Sequence, residues 1–193
     1  MHHDHMGEHP NTQNRRLRML YSMKDIQLAL SAADFLQECD PDEPIGKVQL
    51  RRYKCFETTA IVSYARPFSD SKGGIPRLSM KMIGVRLDDD QRALHEEVIE
   101  LRNKAFAHSD SELMRMVVKL GAIDIGNGET MPHVQTAFDE GLDFVGNRVS
   151  RLLQLFHVVF EGLYITLMED ARSNPEKFDF RHDWLHPGSS SEG

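Results

Sequence analysis

Large apolar side chains recur at steps of three and four from Phe138 through Leu142, Val145, Val149, Leu152, Phe156, Val159 and Leu163 to Leu167. That spacing matches the 3.6-residue helical turn, so it predicts one amphipathic helix over about 134–168 with a stripe that other elements must cover. Unbroken, such a helix would reach roughly 50 Å at 1.5 Å per residue, so it should bend at Gly141, Gly146 or Gly162 or overhang the rest of the molecule. A helix of this kind has to be one member of a helical bundle.

Three further helices are legible. From about Gln13 to Glu38, Leu17, Tyr21, Leu28, Ala32 and Phe35 keep a helical period with a gap at Lys24. Pro41 and Pro44 end that run, because proline lacks the amide a helix needs. A second helix over about 45–65 carries Val48, Cys55, Thr59 and Val62 on one side and Tyr53, Phe56, Ala60 and Tyr64 beside them, which predicts a wide buried arc. The third should open at Asp88-Asp89-Asp90, whose carboxylates cap free amides and suit the positive end of the helix dipole, and should run to Ala107. Its stripe is Leu94, Val98, Leu101, Ala105 and, at the helix end, His108. Residues 113–134 are expected to be irregular, with Met116-Val117-Val118 as a short strand and Gly126-Asn127-Gly128 as a turn. The expected fold is therefore all-α: an antiparallel bundle of four to five helices with a long loop and room for a small hairpin. Residues 1–12 are expected to be a flexible tail, 13–170 the helical domain, and 171–193 mostly flexible, given the Pro187-Gly188-Ser189-Ser190-Ser191 ending.

Composition narrows the function classes. A chain of 193 residues supports one domain with its own core. A net charge of −7 argues against a protein that coats nucleic acid non-specifically, since phosphate binding needs clustered Lys and Arg. One basic segment stands out: between Arg66 and Leu87, Arg66, Lys72, Arg77, Lys81 and Arg86 face a single acid, Asp70, a net of +4. Arg66-Pro67, Gly73-Gly74 and Ile75-Pro76 break any periodicity there, so this long loop reads as a phosphate-facing surface or as ordinary solvated cations. Cys39 and Cys55 are too few for a disulfide scaffold and read as reduced, structural thiols. No apolar run approaches the ~20 residues of a membrane span and the N-terminus lacks a signal peptide, so a cytoplasmic protein without membrane contact is expected. His2, His3, His5 and His9 lie in a polar tail without fixed geometry, and His95-Glu96-Glu97 lacks the second histidine of a His-Glu-X-X-His zinc site. With no Walker loop and no dinucleotide fingerprint, no cofactor or metal is expected.

The segment Leu101-Arg102-Asn103-Lys104-Ala105-Phe106-Ala107-His108 carries the chemistry. Metal-free RNA cleavage needs a base near neutral pKa for the ribose 2′-hydroxyl and a fixed cation for the charge gathering on phosphorus. His108 and Arg102 are groups of those two kinds, and the Asn103 amide can orient a ribose or an imidazole. Spacing alone decides nothing, because Arg151 and His157 are equally far apart. That second pair sits mid-helix among large apolar residues, with Leu152 next to the arginine. The Arg102-Asn103 to His108 segment resembles the signature of the HEPN superfamily (higher eukaryotes and prokaryotes nucleotide-binding), with an arginine and a polar residue a short interval before a histidine near a helix end. The resemblance implies a HEPN-like helical bundle, a homodimer, and a metal-independent endoribonuclease of a toxin–antitoxin or phage-defence (abortive infection) system with an antitoxin partner. It also implies the roles: His108 as general acid/base, Arg102 as the phosphate-stabilising cation and Asn103 as the orienting group. The alternative is a catalytically silent HEPN module that binds a nucleotide or a protein. Asp110 stands where related toxins often carry a tyrosine.

Six residues turn an ideal helix by about 600°, which leaves Arg102 and His108 ~120° apart around the axis and ~9 Å along it. Either the helix unwinds near Ala107, or a second copy completes the site across a two-fold axis. The shared groove is the expectation, with RNA as substrate and Arg66, Lys72, Arg77 and Lys81 supplying backbone contacts.

Overall fold

A computed structural model describes residues 10–40, 42–71, 74–103, 116–138 and 142–178. Among them, four helices surround a common core: α1 (Pro10–Leu36), α2 (Lys47–Ala65), α3 (Asp89–Leu101) and α4 (Asn147–Ser173). Helix α1 packs on both α2 and α4, and α3 closes the side between α2 and α4. Ile26, Ala29, Ala33, Leu36, Ala60, Ile61, Tyr64, Val98, Leu152, Leu155, Phe156, Val159 and Leu163 are buried there. Asp88 caps α3 as its carboxylates suggested: its side chain accepts from the Gln91 N–H while the Gln91 side chain accepts from the Asp88 N–H.

The all-α expectation is overturned by a two-stranded antiparallel sheet, β1 (Met116–Gly126) and β2 (Glu129–Phe138). Its register runs from Met116 opposite Phe138 to Gly126 opposite Glu129, with a bulge between Asp124 and Gly126. Gly126, Asn127 and Gly128 all have positive φ, which turns the chain tightly enough to pair the flanking β-branched residues. The segment expected to be irregular is thus a long hairpin, and Val134 and Phe138 lie on β2 rather than at the start of the last helix. From Val118 to Thr136 every residue except Gly121 is exposed, including Leu120, Ile123, Ile125, Met131 and Val134.

Other expectations need correcting. Val48 is 84% exposed and Cys55 is also exposed, so the buried arc of α2 is Tyr53, Glu57, Ala60, Ile61 and Tyr64, and Cys55 is not a core thiol. Leu28 and Phe35, placed on the buried stripe of α1, are each 45% exposed; Phe35 stacks on Phe56 at the surface. Gly162 serves close packing: a Cβ there would lie 2.3 Å from Val85 Cγ2 and 2.9 Å from the Ile83 carbonyl oxygen. Helix α4 is long and apolar enough to cross a membrane by length and composition. Here Val149, Leu152, Phe156, Val159, Leu163 and Leu167 are buried, while Arg151, Gln154, His157 and Glu161 are exposed.

Three buried charges tie the layers together. Arg16 on α1 reaches Asp170 on α4 with two parallel bonds, Nε to Oδ2 at 2.7 Å and Nη2 to Oδ1 at 3.0 Å. Arg18 donates to the Pro76 carbonyl at 2.6 Å and to Ser71 Oγ at 2.8 Å, holding the 66–87 segment on α1. Glu57 on α2 accepts from the backbone N–H of Asp143 and of Phe144, at 2.7 and 2.8 Å, and from Lys54 at 2.6 Å. That carboxylate sets where the chain enters α4.

Candidate active site

Helix α3 presents the proposed site. Arg102 still has helical backbone angles, and its N–H reaches back to the carbonyls of Ile99 and Val98. Arg102 and Asn103 then form a wider, π-type turn. Such turns locally widen the helix and re-aim side chains. Arg102 is half-buried, Asn103 is exposed, and Arg102 Nη1 donates to Asn103 Oδ1 at 3.0 Å. The guanidinium is thereby oriented by its own neighbour. His108 and Lys72 lie outside the described residues. The comparison pair, Arg151 and His157, projects from α4 with both side chains exposed.

The basic loop is less available than its net charge suggested. Arg66 is paired with Asp25 at 2.5 Å, and Arg77 forms a two-pronged pair with Asp70. The Arg77 guanidinium holds the Asp70 carboxyl below the usual carboxylate range. Lys81 is exposed and has no ion pair among the described residues. Far from being a free strand of chain, the segment buries Leu78, Ile83 and Leu87 in the core.

Sequence reading set aside His95, which lies on α3, for want of a second zinc-ligating histidine. His95 is half-buried, and its Nδ1 lies 2.9 Å from the Tyr64 hydroxyl. The ring meets Tyr64 and Phe68 edge-on, at centroid distances of 5.7 and 4.7 Å, and Tyr64 in turn stacks on Phe156. Burial pushes the His95 pKa below its ordinary value against the smaller pull of Glu96, and pushes Tyr64 up. Burial thus favours the neutral form of both groups. Tyr64 is fully buried, so its hydroxyl proton is satisfied by donating to an unprotonated Nδ1, which assigns the imidazole proton to Nε2. His95, Glu96, Ile99, Glu100 and Asn103 line a surface depression of about 390 Å³. The only cue in the sequence was spacing: seven residues bring His95 within ~20° of Arg102 around the helix, ~10 Å away along it.

A larger depression of about 570 Å³ lies elsewhere, on α2, lined by Arg51, Lys54, Cys55, Thr58 and Thr59. Among the described residues that line it there is no histidine, no carboxylate and no residue of α3. No group of His, Cys, Asp and Glu able to hold a metal ion occurs among the described residues. In comparisons with known proteins, no family model, no curated protein and no solved structure matches this chain, so the functional reading rests on its own residues and their geometry.

Proposed function

We propose that the protein is a metal-independent endoribonuclease whose site is built from Arg102, Asn103 and His108 and is completed across a homodimer. The observation that carries this reading is the Arg102–Asn103 hydrogen bond at the end of α3, which holds a cation and an amide side by side on a turn that widens the helix. An imidazole accepts the ribose 2′-hydroxyl proton as O2′ bonds to phosphorus and the P–O5′ bond breaks. The guanidinium bears the charge gathered on the phosphoryl oxygens, and an imidazolium returns a proton to the departing 5′-oxygen. The products are a 2′,3′-cyclic phosphate and a 5′-hydroxyl. His108 supplies the imidazole, with the second copy's His108 as its counterpart in a shared groove. Lys81, with Arg66 and Arg77 behind their carboxylates, contributes backbone affinity. Such an activity suits a cytoplasmic toxin or phage-defence effector restrained by an antitoxin.

Purified protein should cut RNA in EDTA and leave cyclic phosphate ends, and Arg102→Ala should abolish the cut. Mixing Arg102→Ala with His108→Ala protein should restore part of the activity if each half-site draws on both chains. Cleavage only with added divalent ions refutes the mechanism. A dead mixture, with half activity in a wild-type/double-mutant heterodimer, places the pair within one chain.

A second reading is a catalytically silent module that binds a nucleotide or a protein partner. It is favoured by Glu96 and Glu100, whose carboxylates line the depression beside Asn103, where they disfavour a scissile phosphate.

A further inference from the structure

The hairpin of β1 and β2 stands apart from the helical core: among the described residues each strand packs mainly on the other. Two strands alone are marginally stable in water, and here both have outer edges without a strand partner among the described residues. Pro132 shows which groups form those edges. In an antiparallel ladder, facing pairs that exchange hydrogen bonds alternate with pairs whose N–H and C=O point outward. Pro132 has no N–H, so its pair with Ala122 is of the outward kind. The register is regular from Val118 to Asp124, so Leu120 with Val134 and Val118 with Thr136 are of that kind too. The outer edge of β1 is therefore the backbone of Val118, Leu120 and Ala122, with every donor present. The outer edge of β2 lacks a donor at Pro132. One open edge and one interrupted edge favour a closed pair of hairpins over an endless ribbon.

Side chains point the same way. Strand alternation puts Val118, Leu120 and Val134 on one face, where they are 54%, 78% and 58% exposed. A two-fold axis at Leu120 sets that residue opposite its own counterpart and Val118 opposite the second copy's Ala122, large against small. On the reverse face Lys119 then meets the second copy's Gly121, so no like charges oppose each other. The bulge between Asp124 and Gly126 ends the regular edge just beyond. Other occupants fit poorly. From Val118 to Thr136 a single lysine stands against Asp124 and Glu129, which does not attract RNA, and a bilayer leaves the edge N–H and C=O groups unsatisfied.

We infer that β1 is a dimerisation edge, at which two copies of this chain pair Val118–Ala122 antiparallel about Leu120 to form one four-stranded sheet. The joint supplies about six backbone hydrogen bonds over an interface smaller than ~1,200 Å², the size of a reversible dimer. It gives the homodimer of the nuclease reading a place of contact, yet it stands on the hairpin alone.

Sedimentation of the full chain over a micromolar concentration range tests the joint. The protein should pass reversibly from monomer to dimer. Leu120→Pro removes only an outward N–H, so it spares the ladder within the hairpin and should weaken association by about tenfold or more. Val134→Pro makes the same change on the outer edge of β2 and should leave association as in the parent. In a Cys55→Ser background, Leu120→Cys should oxidise readily to a covalent dimer, since hydrogen-bonded antiparallel pairs lie ~5.5 Å apart between Cα atoms, within disulfide reach. Met131→Cys, on the other strand and the other face, should not. A monomer throughout the range, open-ended polymers, equal weakening by both proline variants, or a Leu120→Cys protein that stays uncrosslinked overturns the inference. A dimer that is indifferent to Leu120→Pro but cuts RNA in EDTA overturns the β1 joint and leaves the nuclease reading standing. A dimer joined at β1 that cuts no RNA does the reverse.

Discussion

Removing the Glu57 carboxylate should cost a large part of the stability of the fold, although Glu57 is a charged group. Glu57 is fully buried, and its Oε1 alone accepts two backbone N–H groups, those of Asp143 and Phe144. These groups lie in the turn that leads into α4, beside the fully buried Phe144 ring. Hydrogen bonds to a charged acceptor contribute about 1.5–3 kcal/mol each, and a buried donor left without one costs about 1–3 kcal/mol. Asp143 is exposed and can recover water; Phe144 cannot. Glu57→Ala is therefore expected to cost about 3–4 kcal/mol once the partial rescue at Asp143 is counted, a large share of the 5–15 kcal/mol typical of a domain. Glu57→Gln keeps one oxygen for the two amides and should cost about 1–2 kcal/mol. Lys54, 33% exposed, adds little through solvent, so Lys54→Met should change stability by about 0.5–1 kcal/mol. Glu57→Leu fills the space and removes the charge, yet leaves the amides bare, so it should resemble Glu57→Ala. The assay is urea unfolding followed by circular dichroism, with the loss read from the midpoint at constant slope. If Glu57→Leu proves as stable as the parent, the carboxylate is not what holds the entry to α4, and the reasoning fails.

Gly162→Ala should destabilise by about 1–3 kcal/mol, because the new methyl meets a backbone carbonyl as well as Val85; adding Val85→Ala should recover only part of the loss in the same unfolding assay. Arg16 holds the Asp170 carboxyl below its usual range, with burial opposing and Asn174 assisting. Its stabilisation is present above the unfolded carboxyl pKa of about 4 and is lost as pH falls through the lower folded value, so Asp170→Asn should flatten the acid limb of a stability–pH curve. An acid limb identical to the parent's would count against it. For RNA binding, Lys81→Gln should lower the slope of log affinity against log salt by about 0.7, and Arg77→Gln by less because Asp70 already neutralises it; equal slopes in both variants and the parent would make these merely solvated cations.

The sequence by itself determined the burial stripe of α4 from Val149 to Leu167, the capped start of α3 at Asp88 and the approximate spans of α1 and α2, since helical period and capping chemistry are local properties. It could not determine where α4 begins. Val134 and Phe138 continue the apolar repeat by spacing, but the positive-φ turn at Gly126–Gly128 recruits them into β2, and a short apolar run has no period of its own that separates strand from helix. Nor could it tell which loop cations are free. Arg66 is neutralised by Asp25, 41 residues away, through the packing of α2 on α1. The same holds at the site. The Arg102–Asn103 bond is a local contact between neighbours, yet the sequence alone did not anticipate it. His95 was set aside for want of a metal-ligand motif, yet Tyr64, 31 residues away on another helix, fixes its ring and assigns its proton. Tertiary structure alone decides such pairings, because the identity of a buried polar group's partner depends on which helix faces pack, and burial is what makes that partner obligatory.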